Sequence, residues 1–362
     1  MPNPTTISFG DPKAAKRQSG SLFLDITKKS YFDKKFVGDS DNHVIQRLTD
    51  LESASGDTIK FDLSVPLRQR PTAGDSRIEG KAESLRFYSD ELKIDQLRHV
   101  VSADGKMTRQ RTVHSIREIC MEKFSDYWAK YNDQLRFIYL SGARGINEDF
   151  YEDPAYVGHA GNPIQAPDAS HVLYAGAATS KATMVAGDKM SKATIEKAAT
   201  KAKMLRSVDP TTANMQPVMI NGEPHFVIVM SEFHAYDLRT ADTTGWMDIQ
   251  RAAADADGKA NPIFRGAFGM IDNVVLHSHA SVIRFNDYGA GGNVPAARAL
   301  LMGRQAGVIA YGSFGGLRYS WSEEMKDHGN EPVFASGTIM GIKKTRFNNT
   351  DVGVIAIDCA SD

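Results

Sequence analysis

The chain has 362 residues, with 43 Lys and Arg against 44 Asp and Glu, for a formal net charge of −1. Hydrophobic residues make up 41% and charged residues 24%, which excludes a disordered chain, a collagen or a coiled-coil rod. Charge this close to neutral argues against a dedicated nucleic-acid binder, and two distant cysteines, Cys120 and Cys359, give neither a disulfide framework nor a metal knot.

The length fits two or three domains at about 100–200 residues each and a core that needs no staples. No stretch approaches the ~20 apolar residues of a membrane-spanning helix; residues 226–230 and 352–357 are the most apolar. The first 25 residues show no apolar segment followed by a small-residue cleavage site. The expectation is a protein made and folded in cytoplasm.

Residues 1–56 read as a loosely organised N-terminal arm. Pro2, Pro4, Gly10, Pro12, Gly20 and Gly38 punctuate it, and Lys13, Lys16, Arg17, Lys28, Lys29, Lys34 and Lys35 make it mildly basic. Short amphipathic pieces at 22–26 and 44–51 offer no core of their own, so the arm should pack on something else. From Ile59 to Leu67 apolar and polar residues alternate strictly, which predicts a half-buried strand; Pro66 places it at an edge or end. A polar stretch with Pro71, Gly74 and Gly80 follows, and then a second extended run carries Leu85 and Phe87 on one face. Together these predict a long projecting hairpin with a charged tip and little core of its own.

Val113, Ile116, Cys120, Phe124, Tyr127, Tyr131, Leu135 and Ile138 recur every three or four residues, the stripe of an amphipathic helix. Thr108 is a candidate N-cap and Gly142 with Gly145 a terminator, so the helix is predicted over 108–141. About 34 residues at ~1.5 Å each make a rod of roughly 50 Å, against a mean helix of about 11–12 residues. Residues 145–190 are irregular. A polar helix is predicted over 191–207, with Ile195, Ala198, Ala202 and Leu205 on one face and Asp209-Pro210 as its stop.

Residues 217–312 read as a compact α/β unit. Its predicted elements are strands at 225–230 and 274–277, a helix from Ser231 through Leu238, a helix over 246–254, and a helix starting at Pro295 and running toward Tyr311. In the tail, strands are predicted at 333–342 and 352–358, separated by the turn 347–351. The fold class is α+β, with no internal repeat.

No catalytic constellation rises from the motifs. The run 289–294 (GAGGNV) has Val where a dinucleotide fingerprint needs its third glycine. Asp255 and Asp257 start a calcium-like loop that lacks its sixth-position glycine and closing Glu. His277 and His279 lack the further ligands of a zinc site. Gly312-Ser313-Phe314-Gly315 is one residue short of a nucleophile elbow, and Cys120 lies on an apolar helix face, where thiols are inert. No metal, cofactor or catalytic residue is expected.

A loose arm, a projecting hairpin, an over-long helix and elements without a core of their own suit a subunit whose faces are buried on other copies. The sequence resembles the major capsid proteins of tailed phages related to coliphage N-four, a branch of the Hong Kong 97-type capsid fold. The residues that carry this are 56–67 (GDTIKFDLSVPL) with 79–101, 104–112 (DGKMTRQRT) with 133–143, 261–277, 299–312 and 323–360. At 145–215 the match is poor and nothing is carried over.

The resemblance implies an N-arm at 1–55 and an extended loop at 56–100. It implies a peripheral domain at 101–216 with a spine helix at 108–141, an axial domain at 217–320, and C-terminal strands at 321–362 returning to the peripheral domain. It implies hexamers and pentamers in an icosahedral shell around double-stranded DNA, located in the virion after assembly in host cytoplasm. Portal protein, scaffolding or decoration proteins and the packaged DNA would be its partners, and no membrane. The Lys–Asn crosslink of the fold's prototype cannot be placed here; Lys81 lies in the loop without an assigned Asn. Candidate inter-subunit contacts are the charged tip residues Arg68, Arg70, Asp75, Arg77, Glu79, Lys81 and Glu83. Two other readings stay open: a cytosolic enzyme with an unrecognised site, and a DNA-binding module that uses the basic arm.

Overall fold

The computed structural model describes residues 12–53, 55–64, 69–84, 87–103, 105–111, 115–208, 214–241, 262–312 and 318–361. Two sheets share one long helix. The six-stranded sheet runs Val37–Gly38, Ile45–Leu48, Gly307–Gly312, Glu331–Lys344, Tyr319–Lys326, with Asp95–Ser102 paired along the other side of Glu331–Lys344. The eight-stranded sheet runs Gly269–Ile271, Val274–Ser278, Glu223–Met230, Val294–Met302, Val354–Ala360, Val172–Tyr174. Arg284–Tyr288 pairs with Val294–Met302, and Val218–Ile220 with Glu223–Met230.

The long helix spans Ile116–Ser141, 26 residues, or roughly 39 Å at ~1.5 Å per residue. It is shorter than the spacing predicts, because Ser115 has extended backbone (ψ 100) and a separate helix, Lys106–Arg111, precedes it. Ser suits such a boundary because its hydroxyl competes for backbone groups inside a helix. At the other end Gly142 adopts φ 70 and its N–H donates to Ile138 O at 3.0 Å, the left-handed stop that glycine favours. A Cβ on Gly142 would also lie 2.2 Å from Gln165 O, so glycine is required there twice.

The first two-thirds of the helix lies on the six-stranded sheet. Phe124 meets Trp321 edge-on at 5.7 Å, Trp128 Nε1 donates to Ser336 Oγ at 3.1 Å, and Asn132 Nδ2 donates to Tyr319 OH at 2.6 Å. Over the last three turns every residue from Tyr131 to Ser141 is buried. A helix covered on all sides needs partners all round, and Leu135, Phe137 and Ile138 share one core with Val227, Val275 and Leu300 of the eight-stranded sheet.

The N-terminal segment is not the loose arm that its composition predicts. Pro12–Lys29 is a helix, and Leu22, Ile26, Phe32, Phe36, Val44 and Ile45 enter the main core. Spacings of about four residues put successive apolar side chains on one face, and the surface that receives them, the long helix and Tyr319–Lys326, comes more than 70 residues later. Arg136 of the long helix locks the segment: it donates to Ser30 Oγ at 2.9 Å and to Asp33 at 2.6 Å, and pairs with Asp133 at 3.3 Å.

Three further expectations need correction. The predicted helix over 295–311 is two strands, Val294–Met302 and Gly307–Gly312, one in each sheet. The run PAARALL favours a helix by propensity, but pairing with Val354–Ala360 and Glu223–Met230 overrides it. The tail strands do not return together: Glu331–Lys344 joins the six-stranded sheet and Val354–Ala360 the eight-stranded one. Between them Asn348 and Asn349, at φ 52 and 59, turn a small hairpin of Arg346–Phe347 with Thr350–Asp351, the geometry that two-residue hairpin loops require. Finally, Asp95–Ser102 leaves the projecting hairpin and pairs in the six-stranded sheet, Ser102 opposite Val333.

The helix predicted over 191–207 is present as Lys192–Val208, with Ile195, Ala198, Ala202 and Leu205 all buried. It covers the face of the eight-stranded sheet away from the long helix, together with Glu232–Ala241. The helix predicted over 246–254 and the stop at Asp209-Pro210 lie outside the described residues.

Candidate assembly surface

The feature that projects is the hairpin of Thr58–Ser64 and Phe87–Lys93, paired from Thr58 opposite Lys93 to Ser64 opposite Phe87. Alternation puts one face of its base on the body. Ile59 and Leu92 are buried with Leu51, Val308 and Ala310, and Phe61 meets Phe347 edge-on at 5.9 Å. Lys343 Nζ holds Asp90 at 2.5 Å and Glu91 O at 3.1 Å. Asn162 bonds both the N–H (3.1 Å) and the carbonyl (2.7 Å) of Lys93. The base is therefore well anchored in its own chain, more than the charged sequence suggests.

The tip, residues 69–84, is different. Every residue there except Thr72 is exposed. Arg70, Asp75, Arg77, Glu79, Lys81 and Glu83 stand on it; Arg68 lies outside the described residues. Arg77 and Glu79 are 4.0 Å apart with side chains 89% and 86% exposed, a contact worth about 0–1 kcal/mol. Glu83 accepts from Gln69 N at 2.8 Å. Ile78 is 71% exposed and Phe87 is 62% exposed, apolar groups that a monomer gains nothing by displaying.

The positions weighed for chemistry are packing and turn residues. His277 is fully buried, and its Nε2–H donates to Ile263 O at 2.7 Å; His279 Nδ1 accepts from Ser281 N at 3.1 Å. Burial holds both imidazoles neutral, with pKa values lowered to about 4. Among the described residues no group of three or more His, Cys, Asp or Glu could hold a metal. Cys120 is buried on the helix face and burial pushes its thiol up. Residues 289–292 form the turn between Arg284–Tyr288 and Val294–Met302, with Gly292 N–H donating to Gly289 O at 3.0 Å. Asp255, Asp257 and Ser313 lie outside the described residues.

The sequence hides a set of buried charges. Arg136 with Asp33 and Asp133, Arg298 with Asp358, and Lys344 with Asp351 (2.9 Å) all sit in the interior. Arg136 and Asp33 are 103 residues apart, so no local motif marks them.

A family model described as phage capsid protein matches residues 6–362. The chain belongs to the phage capsid protein family. The capsid protein is 25% identical over 367 residues to the major capsid protein of Pseudomonas phage KPP25, covering 92% of each chain. It is 57% identical to a chain in the capsid of Ralstonia phage GP4, with TM-score 0.89 over 99% of both chains. A chain of the cyanophage Pam1 capsid asymmetric unit, 19% identical, superposes with TM-score 0.72 over 100% of this chain and 95% of that one, which shows the fold.

The resemblance read in the sequence is thereby borne out. This is a major capsid protein of the tailed-phage class with the Hong Kong 97-type α+β fold, and it is a structural protein rather than an enzyme. It self-associates and is a component of the virion. The enzyme and DNA-binding-module readings find no support in these matches.

Proposed function

We propose that the capsid protein forms hexamers and pentamers that close an icosahedral shell around double-stranded DNA, each hairpin tip lying on the next subunit. The observation that carries this is the contrast within the hairpin: a base held by Ile59, Leu92 and Lys343, and a tip of 16 described residues at 69–84 that is open to solvent. Mixed charges at Arg68, Arg70, Asp75, Arg77, Glu79, Lys81 and Glu83 suit ion pairs across the contact. Each is weak, and repetition over many copies makes the sum large.

In this reading the six-stranded sheet with the long helix as spine is the peripheral domain, and most of 217–302 with its sheet is the axial domain around the hexamer or pentamer axis. Residues 1–55 are the N-arm and 56–94 the extended loop. Strands Gly307–Gly312 and Val354–Ala360 cross between the two domains. The basic arm faces the packaged DNA, which its cations attract without sequence preference. Lys29 is held by Asp126 at 2.6 Å and Lys35 lies over the Tyr31 ring at 4.3 Å, so exposed Lys28 and Lys34 are better placed for phosphate. Portal protein, and scaffolding or decoration proteins where the phage has them, complete the partners, with assembly in host cytoplasm.

Deleting residues 68–82 is expected to leave a folded, soluble subunit that forms no shells. Normal shells in negative stain from that deletion would defeat the proposal. Trypsin offers a second check: the bonds after Arg77 and Lys81 should be cut rapidly in dispersed subunits and slowly in shells, and equal rates would speak against a covered tip.

A further inference from the structure

Arg298 sits on Val294–Met302 directly opposite Asp358 of Val354–Ala360. Its guanidinium grips that carboxylate with both arms of the fork, Nε to Oδ1 at 2.7 Å and Nη2 to Oδ2 at 2.8 Å. Nη2 also donates to Tyr288 OH at 3.2 Å, and Tyr288 OH donates to Asp358 Oδ2 at 2.8 Å. The remaining arm leaves the sheet: Nη1 donates to Ser141 O at 2.9 Å. Ser141 is the last residue of the long helix, and its carbonyl is one of those a helix cannot satisfy internally. A cation there also meets the negative pole of the helix. The Phe285 ring, 5.0 Å away, closes the other side. Arg298 and Asp358 side chains are 11% and 0% exposed.

A planar fork with bonds in several fixed directions sets orientation as well as distance. Further back along the long helix, Trp128 with Ser336 and Asn132 with Tyr319 already fix it to the six-stranded sheet. The helix is thus tied to that sheet, and Arg298 is where the eight-stranded sheet takes hold of its C-terminal end. A buried ion pair adds little net stability over an apolar pair of the same volume, so stability alone does not account for this one.

We infer that Arg298 is a positioning residue that sets the angle between the two sheets and thereby the curvature of the shell. The inference rests on the shell reading above. In a closed shell built from one subunit shape, a small angular freedom inside each subunit accumulates around the particle and widens the range of radii that close.

The test compares wild-type protein, Arg298→Lys and Tyr288→Phe by thermal unfolding and by the diameter distribution of particles in electron micrographs. Lys keeps the charge beside Asp358 but cannot grip it with two arms and reach Ser141 O at once. The expected result is a folded Arg298→Lys subunit whose particles spread at least twofold more widely in diameter than wild type, with malformed or open shells among them. Tyr288→Phe removes one hydroxyl, is expected to spread less, and carries the same test if the Lys variant fails to fold. A purely structural role would lower the melting temperature and the yield and leave diameters unchanged. Uniform wild-type diameters from a folded variant overturn the inference while wild-type shells keep the shell reading intact. Wild-type protein that never forms particles overturns that reading and this inference with it.

Discussion

Acidification from pH 7 toward pH 4 is expected to destabilise the capsid subunit steeply. Three imidazoles, His234, His277 and His279, are held neutral by burial with pKa values lowered to about 4. Lys35 adds to this at His277 and His279, while Glu232 and Asp149 oppose it at His279. The unfolded chain has an ordinary histidine value of about 6.5. Below that value the unfolded state binds protons that the folded state refuses, so stability is complete above about pH 6.5 and is lost as pH falls through the folded values.

His234 and His277 are both fully buried. At about 1.4 kcal/mol per pH unit for each group, these two alone withdraw on the order of 5–7 kcal/mol by pH 4, comparable with the whole stability of an ordinary domain, about 5–15 kcal/mol. Melting temperatures of dispersed subunits between pH 7.5 and 4 check this. His277→Asn, which keeps a donor for Ile263 O, should flatten the decline; an unchanged slope in that variant would remove His277 from the account.

Truncating the aromatic face of the long helix is the second large effect. Phe124 and Trp128 are each 2% exposed and lie between the helix and the six-stranded sheet. Phe124→Ala or Trp128→Ala is expected to cost about 3–5 kcal/mol. The Trp128 change also strands Ser336 Oγ, whose indole donor it removes. Lys123→Ala, on the exposed face one residue away, should stay within about 0.5 kcal/mol. Urea midpoints measure all three, and a Phe124→Ala midpoint equal to that of Lys123→Ala would contradict the buried face.

Much of this was legible residue by residue. The alternation from Ile59 gave the projecting strand, the stripe through Cys120, Phe124 and Leu135 gave the buried helix, and Gly142 gave its end. Long matching stretches such as 261–277 and 323–360 carried the family. The failures share one cause, the need for a distant partner. PAARALL looks helical until two strands flank it. Leu22, Ile26, Phe32 and Phe36 look like an arm until the long helix exists to receive them. The partition of the tail between two sheets depends on Val294–Met302, the run that reads as helix in the sequence, and on Val172–Tyr174. The tip residues were recognisable as exposed, since charge without periodicity has no core to enter, and the contact proposed for them is with another copy. Arg298 and Asp358 were invisible because an ion pair across 60 residues leaves no trace in local sequence.

The place of Val354–Ala360 in its sheet has a consequence for synthesis. It lies between Val294–Met302 and Val172–Tyr174, paired with the latter in parallel, so that end of the eight-stranded sheet stays open until residue 360 has left the ribosome. Pairings this far apart in sequence close slowly. Until then Val172–Tyr174 and Val294–Met302 present unpaired apolar edges, the condition under which newly made chains aggregate. Where subunits are made in bulk, chains in that interval are the ones exposed to aggregation. Chaperone demand should therefore track the rate of translation rather than the amount of finished protein.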